Sequence, residues 1–416
     1  MNAPVSFDPV EDAYSIPLDK IDVSNPKLYQ DDIWYPYFER LRREDPVHYT
    51  KDGMYGSYWS VTKYKDIMQV ETHHQLYSSE ARLGGISITD RPAEFRRRSF
   101  ISSDPPYHDE QRKVVSPVVA PMNLQLLSST IRERAGRVLD GLPRNETFDW
   151  VQRVSIELTT MMLATLFDFP FEERRKLTFW SDVSTMDVNA GGVVDSEEKR
   201  LELLTECLEV MTKLFYERQK RDPAPDLLSM LAHGEATNRM TLRQRMGILI
   251  LFLVGGNDTT RNSMSGGLLG LSRFPDQFQK LRENPELIPS AVSEIVRWQT
   301  PVIHMRRTAL EDAEIGGKPI KAGDKVVIWY ISGNRDEDVI ERADEVIVDR
   351  KRPREHMSFG FGIHRCLGNR LAELQLRILW EEVLRRDLQI EVVDKPVYAY
   401  SNFLHAIRSL PVRIAA

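Results

Sequence analysis

The stretch RQRMGILILFLVGGNDTTRNSMSGGLLGL, residues 243–271, sets the first constraint on this chain. Its periodicity is helical, and it is the most apolar helix in the sequence. Such a helix has to be buried, so other elements must pack around it. Yet Gly255 and Gly256 lie in its interior, where a glycine costs about 1 kcal/mol relative to alanine. A helix serving only as core has no use for them. Asp258, Thr259 and Thr260 then add polar groups where the pattern demands burial. Thr259 follows Gly255 by one helical turn, so its hydroxyl can take the Gly255 carbonyl and loosen the helix. Two readings stand: a plain kink, or a gap with a hydroxyl and an acid beside it.

The longest apolar run within that stretch, GILILFLV at 247–254, is far short of the roughly 20 residues needed to cross a bilayer. The opening MNAPVSFDPVEDAYS is acidic and polar, so neither a signal peptide nor a membrane anchor is expected. Two cysteines in 416 residues make no disulfide framework, which suits a reducing cytoplasm. No CxxC pair is present to suggest structural zinc. A formal net charge of −6 argues against general nucleic-acid binding.

Helical periodicity dominates from Pro106 to Phe274, including residues 148–167, and a first helix is read over 31–44. VHYT and YWSVTKY flank the turn KDGMYGS and read as a hairpin. Strands return after Thr300 in VIHMRRTA, KVVIWYIS, LQIEVV and LPVRI, and a last helix is expected from about Leu367 to Arg386. There is no internal repeat or low-complexity linker. The expectation is one domain over residues 1–416, mainly α with small β-sheets. Ser78–Ser103 shows little periodicity, and long irregular segments in compact folds are often functional.

Cys207, inside LLTECLEVM, reads as a small buried hydrophobe. Cys366 differs. It sits in GFGIHRCLG, residues 360–368, flanked by Gly360, Gly362 and Gly368, so the backbone turns tightly there and lets something approach closely. A helix begins directly after it, and free N–H groups at a helix start favour a thiolate. Such a sulfur suits a nucleophile, with His364 as the local base, or a metal ligand. The residues around it match F-x-x-G-x-x-x-C-x-G at Phe359, Gly362, Cys366 and Gly368. This resembles the haem-binding loop of the cytochromes P-450, whose iron takes a cysteine thiolate.

Three further motifs fall in that family's order. EIVR, Glu294 to Arg297, spaces two charges on one helix face, as an ion pair or a pair reaching a third partner. It resembles the family's E-x-x-R pair, which implies a structural tie to the segment leading into the cysteine loop. GGNDTT, residues 255–260, is similar to the family's oxygen-activating motif. The resemblance makes Asp258 the proton relay and Thr259 the hydrogen-bonding partner of dioxygen. In DPPYHDEQR, residues 104–112, Asp104 can cap a helix, and His108 and Arg112 share one face. They can bind one anionic group or form a solvated polar face. The family uses that pattern for haem propionates, and Arg307 and His356 fit the remaining propionate positions, with adjacent Arg306 ranked lower.

The resemblance covers nearly the whole chain and implies the cytochrome P-450 fold, with haem b between the central helix and the helix after Cys366. The strings LVGGNDTTRNSM, WQTPVIHMRRTA and HMSFGFGIHRCLGNRLAELQLRILWEE are similar to the bacterial soluble terminal alkane hydroxylases. That implies oxidation of medium-chain alkanes or fatty acids at the end methyl. Two rivals are a steroid, terpene or secondary-metabolite hydroxylase, and a haem-thiolate sensor or carrier without oxygenase activity. The pocket candidates are the Ser78–Ser103 loop, Leu253, Val254, Gly255, Ile303, Met305, Phe403 and Leu404, with Phe359, Gly360, Cys366 and Gly368 beneath the cofactor. Only 50 residues follow Cys366, too few for a flavin domain. The expected electron donor is a [2Fe–2S] ferredoxin served by an NADH-dependent reductase. Lys113, Arg352, Arg354, Arg365 and Arg370 would steer it electrostatically.

Overall fold

In the computed structural model, residues 13–415 are described. Most of the opening stretch read for a signal peptide lies outside the described residues. The central helix runs unbroken from Leu242 to Arg273. Thr241 and Gln244 start it with a capping box, each side chain serving the other's backbone N–H. Pro275 ends it by pushing Phe274 out of helical geometry (φ −124°, ψ 71°).

Helices Ile156–Phe167, Arg175–Thr185, Ile288–Gln299 and Asn369–Arg385 pack against this axis. Gly256 lets one of them come close: a Cβ there would lie 2.8 Å from Leu163 Cδ2. Gly255 behaves differently, since a Cβ there would meet no heavy atom within 4 Å. One glycine admits a neighbouring helix and the other faces a cavity. Thr259 does donate to the Gly255 carbonyl (2.8 Å), yet the helix continues through it.

A mixed five-stranded sheet flanks the helices. Its order is Val47–Gly53, Gly56–Val61, Lys325–Trp329, His304–Ala309, Tyr77–Ser78. The first two strands are the expected hairpin, and the second pairs in parallel with Lys325–Trp329. His304–Ala309 is antiparallel to that strand, with Arg307 opposite Val326. Alternation puts Met305 and Arg307 on one face and Arg306 on the other. A smaller sheet joins Thr147–Asp149, Pro411–Ile414 and Ile390–Val392.

Two helix boundaries differ from the sequence reading. The helix read over 31–44 begins at Tyr35, because Asp32 takes a left-handed conformation (φ 56°) before it, and it is not the first, since a short helix, Pro26–Gln30, precedes it. Residues 148–167 are not all helix. Phe148 pairs with Val412 in the small sheet, Val151–Ser155 form a π turn, and the α-helix starts at Ile156. A distant strand offered that backbone a ladder, which local periodicity does not register.

Candidate active site

A cavity of about 480 Å³ lies between the central helix, the cysteine loop and the irregular segment from Ala81 to Ser102. Val254, Gly255 and Thr259 of the central helix line it, with Met305, Phe403 and Leu404. Two expected lining residues do not. Leu253 is fully buried in the main core, and the cavity-facing residues beside it are Leu251, Phe252 and Val254. Ile303 is also fully buried, clustered with Phe38 and Trp329, and its neighbour Val302 lines the cavity instead.

Thr259 and Asp258 face different surroundings. Thr259 lines the cavity, whereas the fully buried Asp258 is outside the lining. Its carboxylate accepts from Arg261 (2.6 Å), Ser181 (3.0 Å) and Asn257 (3.2 Å). Arg261 also donates to Asp182 at 2.9 Å. Burial pushes the Asp258 pKa up to about 6 and the Asp182 charge adds to this, while Arg261 and Ser181 oppose it. A direct relay from Asp258 into the cavity therefore requires its carboxyl to leave Arg261.

The cysteine loop is held from both ends. The Cys366 N–H donates to the Phe359 carbonyl (2.7 Å), and Gly360 and Gly362 between them have φ of 64° and 63°. A Cβ at Gly362 would collide with the Glu71 carbonyl, and one at Gly360 would press on Glu71 Oε1 at 3.3 Å. Glu71, absent from the sequence reading, is a hub. Buried, it accepts from the Phe361 N–H (2.7 Å) and the Tyr330 hydroxyl, and pairs with Arg307 at 3.4 Å. Its signal was a carboxylate in an otherwise ordinary helix, Tyr64–Thr72, and spacing alone does not mark it.

Cys366 lines the cavity and Cys207 does not. Burial raises the Cys366 thiol pKa, opposed by hydrogen bonds from the Gly368 and Asn369 N–H groups and by the Arg112 and Arg365 charges. Gly368 precedes helix Asn369–Arg385, and a Cβ on it would meet nothing within 4 Å.

Donors gather beside this loop. Arg112 lines the cavity and donates to the Arg365 carbonyl at 2.5 Å. His108 is buried and its Nδ1 contacts Asp109 (2.7 Å), but its Nε2 has no partner among the described residues. His364 packs on the His108 ring (4.8 Å between centroids), and both its nitrogens are buried without a hydrogen-bond partner among the described residues. Arg307 is buried on the Met305 face of its strand, paired with Glu71, while Arg306 is taken by Asp90. His356 does not join this cluster. It is buried against the Phe359 ring and outside the cavity lining, so His364 takes the place assigned to it. Asp104 is also reassigned. Its carboxylate binds Ser78 and the Ser79 N–H (3.0 Å) instead of capping the helix, which starts at Tyr107.

Glu294 and Arg297 form a buried pair at 2.7 Å, and Arg350 is the third partner at 2.9 Å. Arg297 also donates to the carbonyls of Asn334 (2.9 Å) and Glu345 (2.6 Å). Asn334 then accepts the Met357 N–H (2.7 Å), two residues before Phe359. The motif thus ties its helix to the approach of the cysteine loop.

Residues 26–396 match the family model described as Cytochrome P450. The chain belongs to this family. The P450 is 38% identical to linalool 8-monooxygenase of Pseudomonas putida over 404 residues, 95% of this chain and 99% of that protein. It is 32% identical to the methyl-branched lipid omega-hydroxylase of Mycobacterium tuberculosis strain H37Rv, over 92% of this chain and 91% of that protein. The structure of CYP153D17 from Sphingomonas sp. PAMC 26605 superposes with a TM-score of 0.90 at 48% identity, covering 96% of this P450 and all of that chain.

The P450 is thus a haem-dependent monooxygenase, an oxidoreductase using O2 and a redox partner, and its cofactor is haem b on a cysteine thiolate. Its residues fit that group. One cysteine opens into the cavity, Gly255 and Gly368 keep side chains out of it, and orphaned imidazole nitrogens beside Arg112 suit the anionic propionates. Among the described residues no single helix is long and apolar enough to cross a membrane.

Proposed function

We propose that this P450 hydroxylates medium-chain alkanes or fatty acids at the terminal methyl, with Cys366 as the iron ligand. The balance is R–H + O2 + two electrons + two protons → R–OH + H2O. The observation that carries it is the cavity wall: Val254, Val302, Met305, Phe403 and Leu404 are apolar and converge on the same space as Cys366 and Thr259. The likeness to terminal alkane hydroxylases supports the regiochemistry, and the lipid relative is named for omega-hydroxylation.

Haem, when bound, supplies dioxygen activation and C–H oxidation. The protein's share is positional. Cys366 Sγ would hold the iron, tempered by the Gly368 and Asn369 N–H groups. Arg112, His108, His364 and Arg307 would hold the propionates. Thr259 Oγ1 presents a hydroxyl at the cavity, and Asp258, one helix position away, would take up and pass on a proton only after its carboxylate leaves Arg261. A primary C–H bond is stronger than a secondary one, so the wall must exclude the neighbouring methylenes. Each tenfold of selectivity needs about 1.4 kcal/mol of differential transition-state stabilisation.

Electrons come from a separate [2Fe–2S] ferredoxin and its NADH-dependent reductase. Lys113, Arg352, Arg354, Arg365 and Arg370 are all exposed, and Lys113 and Arg365 neighbour Arg112 and Cys366 directly in the chain. Such a surface suits an acidic partner in the cytoplasm.

The test is the product distribution from octane with a supplied ferredoxin system. Mainly 1-octanol is expected, and Met305→Ala should shift product towards 2-octanol. Mainly internal alcohols from the unmodified enzyme, or steroid turnover without alkane turnover, would refute the terminal reading. Turnover with NADH and no partner protein would refute the ferredoxin assignment. Thr259→Ala should keep octane affinity and divert NADH into peroxide, with product formation slowed about 10²–10⁴-fold, the usual weight of a proton-transfer group. An unchanged ratio of octanol to NADH consumed would remove that role.

A further inference from the structure

Residues 96–98 are three consecutive arginines in the cavity wall segment, and two of them are engaged. Arg96 donates to the carbonyls of Arg91 and Arg82, each at 2.7 Å. Arg98 pairs with Glu80 (3.0 Å), donates to Ser103 (3.2 Å) and lies over the Tyr107 ring. The Arg97 carbonyl accepts from the Ser102 hydroxyl (3.2 Å), but its guanidinium, in the cavity wall, makes no hydrogen bond or ion pair with any described residue.

The charged groups near Arg97 do not compensate it. They are Arg91, Arg200 and Glu197, with the Cys207 thiol behind them. Glu197 is already shared by Arg200 (3.2 Å) and Arg91 (3.5 Å). Arg200 gives its remaining nitrogens to the Val183 and Met186 carbonyls. The next carboxylate, Asp187, accepts from Tyr55 (3.1 Å) and from the Asn189 N–H (2.8 Å). Three guanidiniums therefore face two carboxylates, and of these Glu197 acts on Arg97 while Asp187 acts on Arg200. Burial pulls the Arg97 pKa down to about 10, which leaves it charged at neutral pH. An uncompensated cation in a partly dry wall is costly, and an anionic ligand removes that cost.

Its position along the cavity is set by Gly247. A Cβ there would collide with the Arg98 carbonyl, so the segment packs directly on the central helix at this point. Gly247 precedes Thr259 by twelve residues, about 18 Å of helix. The Arg97–Arg98 backbone and Thr259 are thus separated along the helix by roughly the length of a medium alkyl chain, and Ile250, Leu251 and Val254 line the cavity between them.

We propose that Arg97 anchors a carboxylate at the tail of the substrate, making this P450 selective for a medium-chain fatty acid over the corresponding alkane. The proposal rests on the reading above that a chain end is presented to Cys366 and Thr259. A planar guanidinium can grip a carboxylate through two parallel hydrogen bonds, so the contact also orients the chain.

The experiment is a binding titration of the haem-loaded full chain with dodecanoate, methyl dodecanoate and dodecane, comparing the unmodified enzyme with Arg97→Leu and Arg97→Lys. The unmodified enzyme should bind dodecanoate more tightly than its ester. Arg97→Leu should weaken dodecanoate about ten- to hundredfold, the weight of one charge-assisted contact, and leave the ester within twofold. Arg97→Lys should restore part of the loss. Equal affinity for acid and ester in the unmodified enzyme, an unaffected acid in Arg97→Leu, or an equal loss of acid and ester overturns the proposal. Failure of the terminal-methyl reading appears separately, in the octane products, because octane carries no carboxylate.

Discussion

Replacing Cys366 with serine is expected to abolish both monooxygenase turnover and the long-wavelength absorption band of the reduced carbon-monoxide complex, whereas Cys207→Ser should leave both intact. The two sulfurs differ in surroundings. Cys207 is 2% exposed within the main core, and burial pushes its thiol pKa far up. A structural cysteine of that kind is inert. Cys366 opens into the cavity, with two backbone N–H groups and the Arg112 and Arg365 charges available to stabilise a thiolate. A serine oxygen is a harder, less electron-donating ligand, so haem retained by Cys366→Ser should lose the thiolate signature even if the fold is unchanged. Persistence of the band in that variant, or its loss in Cys207→Ser, would show the ligand assignment to be wrong.

Arg297→Ala is expected to destabilise the protein by about 3–5 kcal/mol, the usual cost of breaking a buried ion pair from one side. Arg297 serves Glu294 and backbone carbonyls at Asn334 and Glu345 at once. Its removal strands those acceptors and loosens the approach to the cysteine loop. Lysine has one ammonium and cannot span these directions, so Arg297→Lys should recover little. The measurement is the urea midpoint at neutral pH; an unchanged midpoint in Arg297→Ala would refute the tie.

The same site gives a pH dependence with a definite sign. Burial alone would raise the Glu294 pKa, but Arg297 and Arg350 hold it down at about 2. An unfolded glutamate titrates near 4.3. The carboxylate's contribution, on the order of 3 kcal/mol, is therefore complete above about pH 4.3 and lost as pH falls through 2. Glu294→Gln should start less stable at neutral pH and lack this component of the acid transition. An identical acid unfolding curve in the variant would count against it.

The amino-acid sequence by itself determined the family, the cysteine loop, the Glu294–Arg297 pair and the Thr259–Gly255 contact, because each depends on groups only a few residues apart. Turn glycines around a cysteine, charges on one helix face and a hydroxyl one turn after a carbonyl are local geometry. Tertiary structure decided which of two adjacent apolar residues meets the cavity. On a helix one residue turns the side chain by about 100°, and on a strand it reverses the face. Leu253 and Ile303 were therefore indistinguishable in type from the neighbours that line the cavity, Phe252 and Val302. Long-range packing also chose the partners of the polar groups. Asp258 went to Arg261 and Ser181, His364 rather than His356 was left with free nitrogens beside Arg112, and Glu71 reached the cysteine loop. Of three consecutive arginines, only Arg97 was left without a carboxylate or a carbonyl, because partners arrive from elements distant in the chain.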